Sequence, residues 1–123
     1  MNKLLSLLLL VSSSLFAQDF ISDAAFENNT AKGITVVEFW AEWNKGNECT
    51  YLTELNDCQV YKIDVLKYSN IQKKYLVFSL PTLIIFENGK EITRFAADIT
   101  FKLPIEKKGV QKEIDELIFN KFQ

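Results

Sequence analysis

Seven consecutive residues, Ile34-Thr35-Val36-Val37-Glu38-Phe39-Trp40, constrain this chain more than any other stretch. β-Branched and aromatic side chains favour extended backbone. Successive side chains of a strand face opposite sides of a sheet. A run that is apolar at nearly every position therefore reads as a strand covered on both faces. Other elements must pack above and below it.

The rest of the chain supplies them in alternation. Ser22 is placed to cap a short helix carrying Ala24, Ala25 and Phe26, which Asn28-Asn29-Thr30 and Gly33 end. After the strand, Asn44-Lys45-Gly46-Asn47 reads as a loop, and Glu48 to Leu55 as about two turns of helix capped by Asn47. Val60 to Val65 alternates as a second strand, and Ser69 to Tyr75 fits a helix capped by Ser69. Thr82 to Glu87 is a third strand, Asn88-Gly89 a hairpin turn, and Glu91 to Ala96 the antiparallel return. Asp98 to Lys108 is irregular. Val110, Ile114, Leu117, Ile118 and Phe122 then lay a helical stripe. The order α-β-α-β-α-β-β-α predicts an α/β fold, a mixed central sheet with helices on both faces.

Composition narrows function. The 123 residues fit one domain, and 48% hydrophobic content is enough for one core. A net charge of −2 gives no nucleic-acid footprint. Histidine is absent, which excludes Ser-His and Cys-His hydrolases and removes the commonest metal ligand. With two cysteines at no recognised metal spacing, neither a metal site nor a cofactor is expected.

Residues 1–17 read as a secretory signal peptide, with residues 18–123 as the domain. Lys3 is the charged start, Leu4 to Val11 the apolar run, and Ala17 precedes the cut. The expectation is an exported protein, periplasmic or secreted, with no membrane insertion after signal removal. The run is too short to span a bilayer core of about 30 Å.

Three stretches carry a family resemblance. Val36-Val37-Glu38-Phe39-Trp40-Ala41-Glu42-Trp43 resembles the first core strand of thioredoxins and the Trp-Ala-x-Trp before their active site. Tyr61-Lys62-Ile63-Asp64-Val65 resembles the next strand. Tyr75 to Gly89, through Ser79-Leu80-Pro81-Thr82 and Phe86-x-Asn88-Gly89, resembles the cis-proline segment and its hairpin. The resemblance covers roughly Asp19 to Phe122. It implies a thioredoxin-like fold and two thiols in Cys-x-x-Cys after Trp43, the first activated at a helix N-terminus. Those two positions hold Asn44 and Asn47 instead, so the chain reads as redox-degenerate. Glu38 occupies the place of the family's buried acid; the plainer reading is a strand carboxylate paired with a neighbour. Counting back from Asp64 puts Val60 where a lysine often pairs with that acid. The stretch between Trp43 and Asp64 is short, so the active-site helix is expected to lose about two turns.

The remaining thiols leave two readings open. Cys49 is either a one-cysteine redox or thiol-capture site, resolved by Cys58, or a small core residue. If Glu48 to Leu55 is helical, the two cysteines lie on the order of 13 Å apart, too far for a disulfide. A bridge becomes reasonable only if that segment is a loop.

The resemblance also implies that Leu80 precedes a cis proline, Pro81, whose surroundings pair with extended peptides by strand addition. Trp40, Trp43, Leu80 and Pro81 are the candidate groove, with Trp43 the more exposed tryptophan and Trp40 the more core-like. Ser79 stands where glycine is common, which affects the groove's width. The apolar residues of Ile99 to Ile105 form either a contact surface or a loop packed over the core. The leading expectation is therefore an extended peptide or protein partner bound through Trp43, Asn44, Asn47, Leu80 and Pro81. The alternatives are a thiol–disulfide oxidoreductase acting through Cys49, with Glu38 assisting, and a subunit of an envelope assembly.

Overall fold

The computed structural model describes residues 20–123. The signal-peptide reading of residues 1–17 lies outside them. Helix α1 (Asp23–Thr30) leads into strand β1 (Ile34–Trp40). Two short 3-10 helices (Glu42–Asn47 and Leu52–Glu54) connect it to β2 (Gln59–Asp64). Helix α2 (Asn70–Lys74), the hairpin β3 (Thr82–Glu87) and β4 (Lys90–Ala96), and helix α3 (Lys107–Asn120) complete the order.

The four strands are arranged β2-β1-β3-β4. β1 runs parallel to β2 and antiparallel to β3, and β3 runs antiparallel to β4. β1 and β3 are central and almost wholly buried, because their apolar residues serve two cores. Val37, Phe39, Ile84 and Phe86 face one core with Phe26 of α1 and Ile71 of α2. Ile34, Val36, Leu83 and Ile85 face the other with Val110 and Ile114 of α3 and with Cys49, Leu52 and Leu55. The mixed sheet with helices on both faces is thus as expected. In the first core Phe26, Tyr75 and Phe86 meet as a triad. Phe86 packs edge-on to Phe26 at 5.4 Å and to Tyr75 at 5.2 Å, a geometry that aligns ring edges with ring faces.

Local signals explain most element ends. Ser22 Oγ accepts from Ala25 N–H at 3.2 Å and caps α1. Asn88 and Gly89 hold φ of 49° and 83°, the left-handed pair that a tight hairpin needs. Asn88 Oδ1 also accepts from Gly33 N–H at 2.8 Å, tying the hairpin tip to the start of β1.

Four expectations are corrected. No α-helix spans Glu48 to Leu55: Glu48 is extended (φ −62°, ψ 159°) and only Leu52–Glu54 forms a 3-10 turn. The Cys49 N–H, which would open that helix, instead reaches across to Glu38 Oε2 at 2.9 Å. Asn47 therefore caps nothing there. Ser69 makes no side-chain cap on α2; the Asp23 carboxylate does, accepting from Asn70 N–H at 3.3 Å and Ile71 N–H at 3.2 Å. Phe122 lies beyond α3 and is exposed, so the stripe ends at Ile118.

Candidate functional site

The site lies where β1 ends, β3 begins and the 3-10 segment passes between them. The Leu80–Pro81 bond is cis. Both residues are buried, and the Pro81 carbonyl accepts from Ala97 N–H at 3.0 Å. Asn44, at the first expected thiol position, is buried as well. Its carboxamide joins three chain segments. Asn44 Nδ2 donates to the Leu80 carbonyl at 2.9 Å and to the Phe101 carbonyl at 3.0 Å. Asn44 Oδ1 accepts from Asn47 Nδ2 at 2.8 Å. The two asparagines at the expected thiol positions therefore touch each other and hold the backbone before the proline.

An open cleft of about 610 Å³ begins beside this network, lined by Trp43, Leu66, Phe78, Leu80, Ile99 and Phe101 among others. Trp43 is 59% exposed, Phe78 88% and Ile99 97%, so the apolar lining faces solvent. Phe101 stands edge-on to Trp43 at 5.6 Å.

Trp40 does not belong to this cleft. It is half-buried, edge-on to Phe20 at 5.1 Å, and lines a separate hollow with Phe20 and Tyr68. Its Nε1 donates to Glu48 Oε2 at 2.6 Å. The candidate groove thus keeps Trp43 and Leu80 and loses Trp40. Sequence reasoning did not single out Leu66 or Phe78 among its walls. The available signal was a large apolar residue in a turn, close before Pro81 in the case of Phe78.

A charge cluster centres on the buried Glu38 and Lys62. Glu38 is paired in register with Lys62, not Val60. Phe39 opposite Ile63 and Trp40 opposite Asp64 set that register. Lys62 Nζ sits 2.9 Å from Glu48 Oε2 and 3.8 Å from Glu38 Oε1. Glu38 is fully buried, and its Oε1 has no hydrogen-bond partner. Burial raises its pKa to about 7, against the lowering pull of the Cys49 N–H and of Lys62. Glu48 is lowered: its partial burial acts upward, but hydrogen bonds from Lys62 and Trp40 prevail.

Cys49 and Cys58 are both free. Cys49 is 4% exposed and packs with Leu52 and Val36. Burial pushes its thiol up to about 11, and burial does the same to Cys58. A thiol so shifted is almost wholly protonated at neutral pH, the opposite of an activated nucleophile. Tyr51 closes the segment over it, its hydroxyl donating to the Ile105 carbonyl at 2.8 Å. Among the described residues, no group of three or more cysteines and carboxylates is placed to hold a metal ion. No helix among them is long and apolar enough to cross a membrane.

Comparison with known proteins now decides the family. The thioredoxin family model matches residues 18–107. The chain belongs to the thioredoxin family. It is 33% identical over 82 residues to thioredoxin of Chlamydia trachomatis serovar D, covering 60% of this chain and 78% of that protein. It is 35% identical over 82 residues to thioredoxin of Chlamydia pneumoniae, with the same coverage. The fold is similar to that of a mutant thioredoxin from Halobacterium salinarum NRC-1, with a TM-score of 0.63 at 19% identity. That match covers 80% of this chain and 88% of the other.

Proposed function

We propose that this chain is an exported, redox-degenerate thioredoxin-fold module that holds an extended peptide or protein partner at the cleft beside Pro81. The observation that carries the reading is the Asn44–Asn47 pair. Where a thiol cycle needs two sulfurs, the chain carries two carboxamides, one of them spanning the Leu80 and Phe101 carbonyls. A carboxamide has no redox chemistry but is a good donor to a peptide carbonyl. The exposed apolar wall of Trp43, Leu66, Phe78 and Ile99 offers side-chain contacts that need no thiol. Export rests on Lys3, the Leu4–Val11 run and Ala17, and places the protein in the periplasm or outside the cell.

Because one lone pair of the Leu80 carbonyl is engaged by Asn44, recognition draws more on side chains than simple strand addition would. Pulldown from the exported fraction, with Trp43→Ala and Phe78→Ser as folded controls, tests the site. Both variants are expected to lose the partner; retention by both would remove the cleft from consideration.

A second reading has one observation in its favour. The N–H of Cys49 is held by Glu38, a buried acid with a pKa of about 7, so a thiol–disulfide oxidoreductase working through Cys49 keeps a proton acceptor close by. Native-state alkylation separates the two. The binding reading expects Cys49 to label only on denaturation, whereas rapid native labelling hands the lead to the redox reading.

A further inference from the structure

The segment after β4 forms a strap held by its own turn. Asp98 Oδ1 accepts from Thr100 N–H at 2.8 Å, from the Thr100 hydroxyl and from Lys102 N–H at 3.3 Å. Asp98 N–H donates to the Lys102 carbonyl at 2.9 Å, and Phe101 N–H to the Asp98 carbonyl at 3.0 Å. At its apex Phe101 holds φ of 62°, a left-handed conformation that costs a residue with a side chain energy. Beyond the turn itself, two contacts tie it to the site: its carbonyl on Asn44 Nδ2 and its ring on Trp43.

Those two contacts are what an extended peptide with an aromatic residue would make: a backbone carbonyl on the same amide hydrogen of Asn44 and a ring edge-on to Trp43. We infer that the strap is an internal stand-in for the partner, and that the partner is an extended segment whose aromatic residue takes the place of Phe101. This rests on the cleft being the partner site and names what enters it. Asn44 then works in both states, holding Phe101 when the cleft is empty and the partner's carbonyl when it is filled. The apolar cleft continues past Phe101 to Phe78 and Leu66, so an incoming ring has wall to occupy beyond the strap's own.

The test uses the purified chain and a blocked heptapeptide of serine and threonine with one central phenylalanine, alongside its alanine counterpart. Affinity is read by fluorescence anisotropy, with circular dichroism to confirm folding. Phe101→Ala removes the competing ring and is expected to tighten the phenylalanine peptide by about three- to tenfold, the worth of one edge-on aromatic pair. Asp98→Ala, which removes the turn's three side-chain hydrogen bonds, is expected to act in the same direction. Adding Asn44→Ala to Phe101→Ala is expected to abolish the gain, since the shared donor is gone. If wild type prefers the phenylalanine peptide but both strap variants bind it equally or more weakly, the exchange is wrong and the partner site stands. If no form of the chain distinguishes the two peptides, the partner site fails and the exchange with it.

Discussion

Glu38→Gln isolates the most unusual group in the molecule. The carboxyl is fully buried, one oxygen has no hydrogen-bond partner, and Lys62 stands 3.8 Å from that oxygen. Its ordinary value of 4.5 is raised to about 7, chiefly by burial. A carboxyl whose native pKa exceeds its unfolded value binds more protons in the native state between the two. Stability therefore falls as pH rises from about 4.5 to about 7 and stays at the lower level above that. The gap corresponds to roughly 3 kcal/mol. Gln keeps the shape and still accepts the Cys49 N–H, but it does not ionise. Urea unfolding followed by tryptophan fluorescence from pH 4 to pH 8 gives both stabilities. The variant is expected to gain on wild type by about 3 kcal/mol across that range, whatever its offset at pH 4. Carboxylates remote from Glu38 titrate alike in both proteins and cancel in the difference. Parallel curves would show that Glu38 ionises at its ordinary pH in the folded state and that Lys62 fully compensates its burial.

Two further outcomes follow from local geometry. Gly89→Ala meets no close atom, its nearest neighbours being Ala31 Cα and Thr30 O at 4.0 Å. Its cost is thus that of the left-handed backbone, roughly 1–2 kcal/mol, readable as a lowered urea midpoint with unchanged slope. Asp23→Ala removes the cap that one helix gives another and is expected to cost about 1 kcal/mol. Amide exchange should accelerate at Asn70 and Ile71, ahead of the rest of the chain.

β1 and β3 were legible to the residue because both faces of each are buried, so most positions carry the apolar signal. The hairpin was legible because only its turn pair tolerates that backbone. The segment between the tryptophans and β2 was not. Its helical pattern is real, but Glu38 captures the Cys49 N–H and Trp40 and Lys62 capture the Glu48 carboxylate. These contacts cross strands and leave no local trace. The cap on α2 failed for the same reason: Ser69 is adjacent in sequence, and Asp23 is adjacent only in space. At the site, Trp43's exposure followed from its position at the loop entrance. The Lys62 partnership needed the strand register, and the walls at Leu66 and Phe78 needed the tertiary fold.

The path of the chain between β1 and β2 bears directly on the thiol chemistry that the family resemblance implies. The connection between them runs as 3-10 turns rather than as an α-helix. No full α-helical N-terminus is then presented at positions 44–47, and the dipole that would favour a thiolate there is missing. The Cys49 N–H is satisfied instead by the Glu38 carboxylate, and the sulfur is buried among Leu52 and Val36. The same path brings Asn44 under Leu80, within reach of two carbonyls. Restoring cysteines at positions 44 and 47 alone would therefore leave a poor oxidoreductase. The thiols would stand on a 3-10 turn without helical activation, and the strap would lose the carboxamide that holds Phe101 in place.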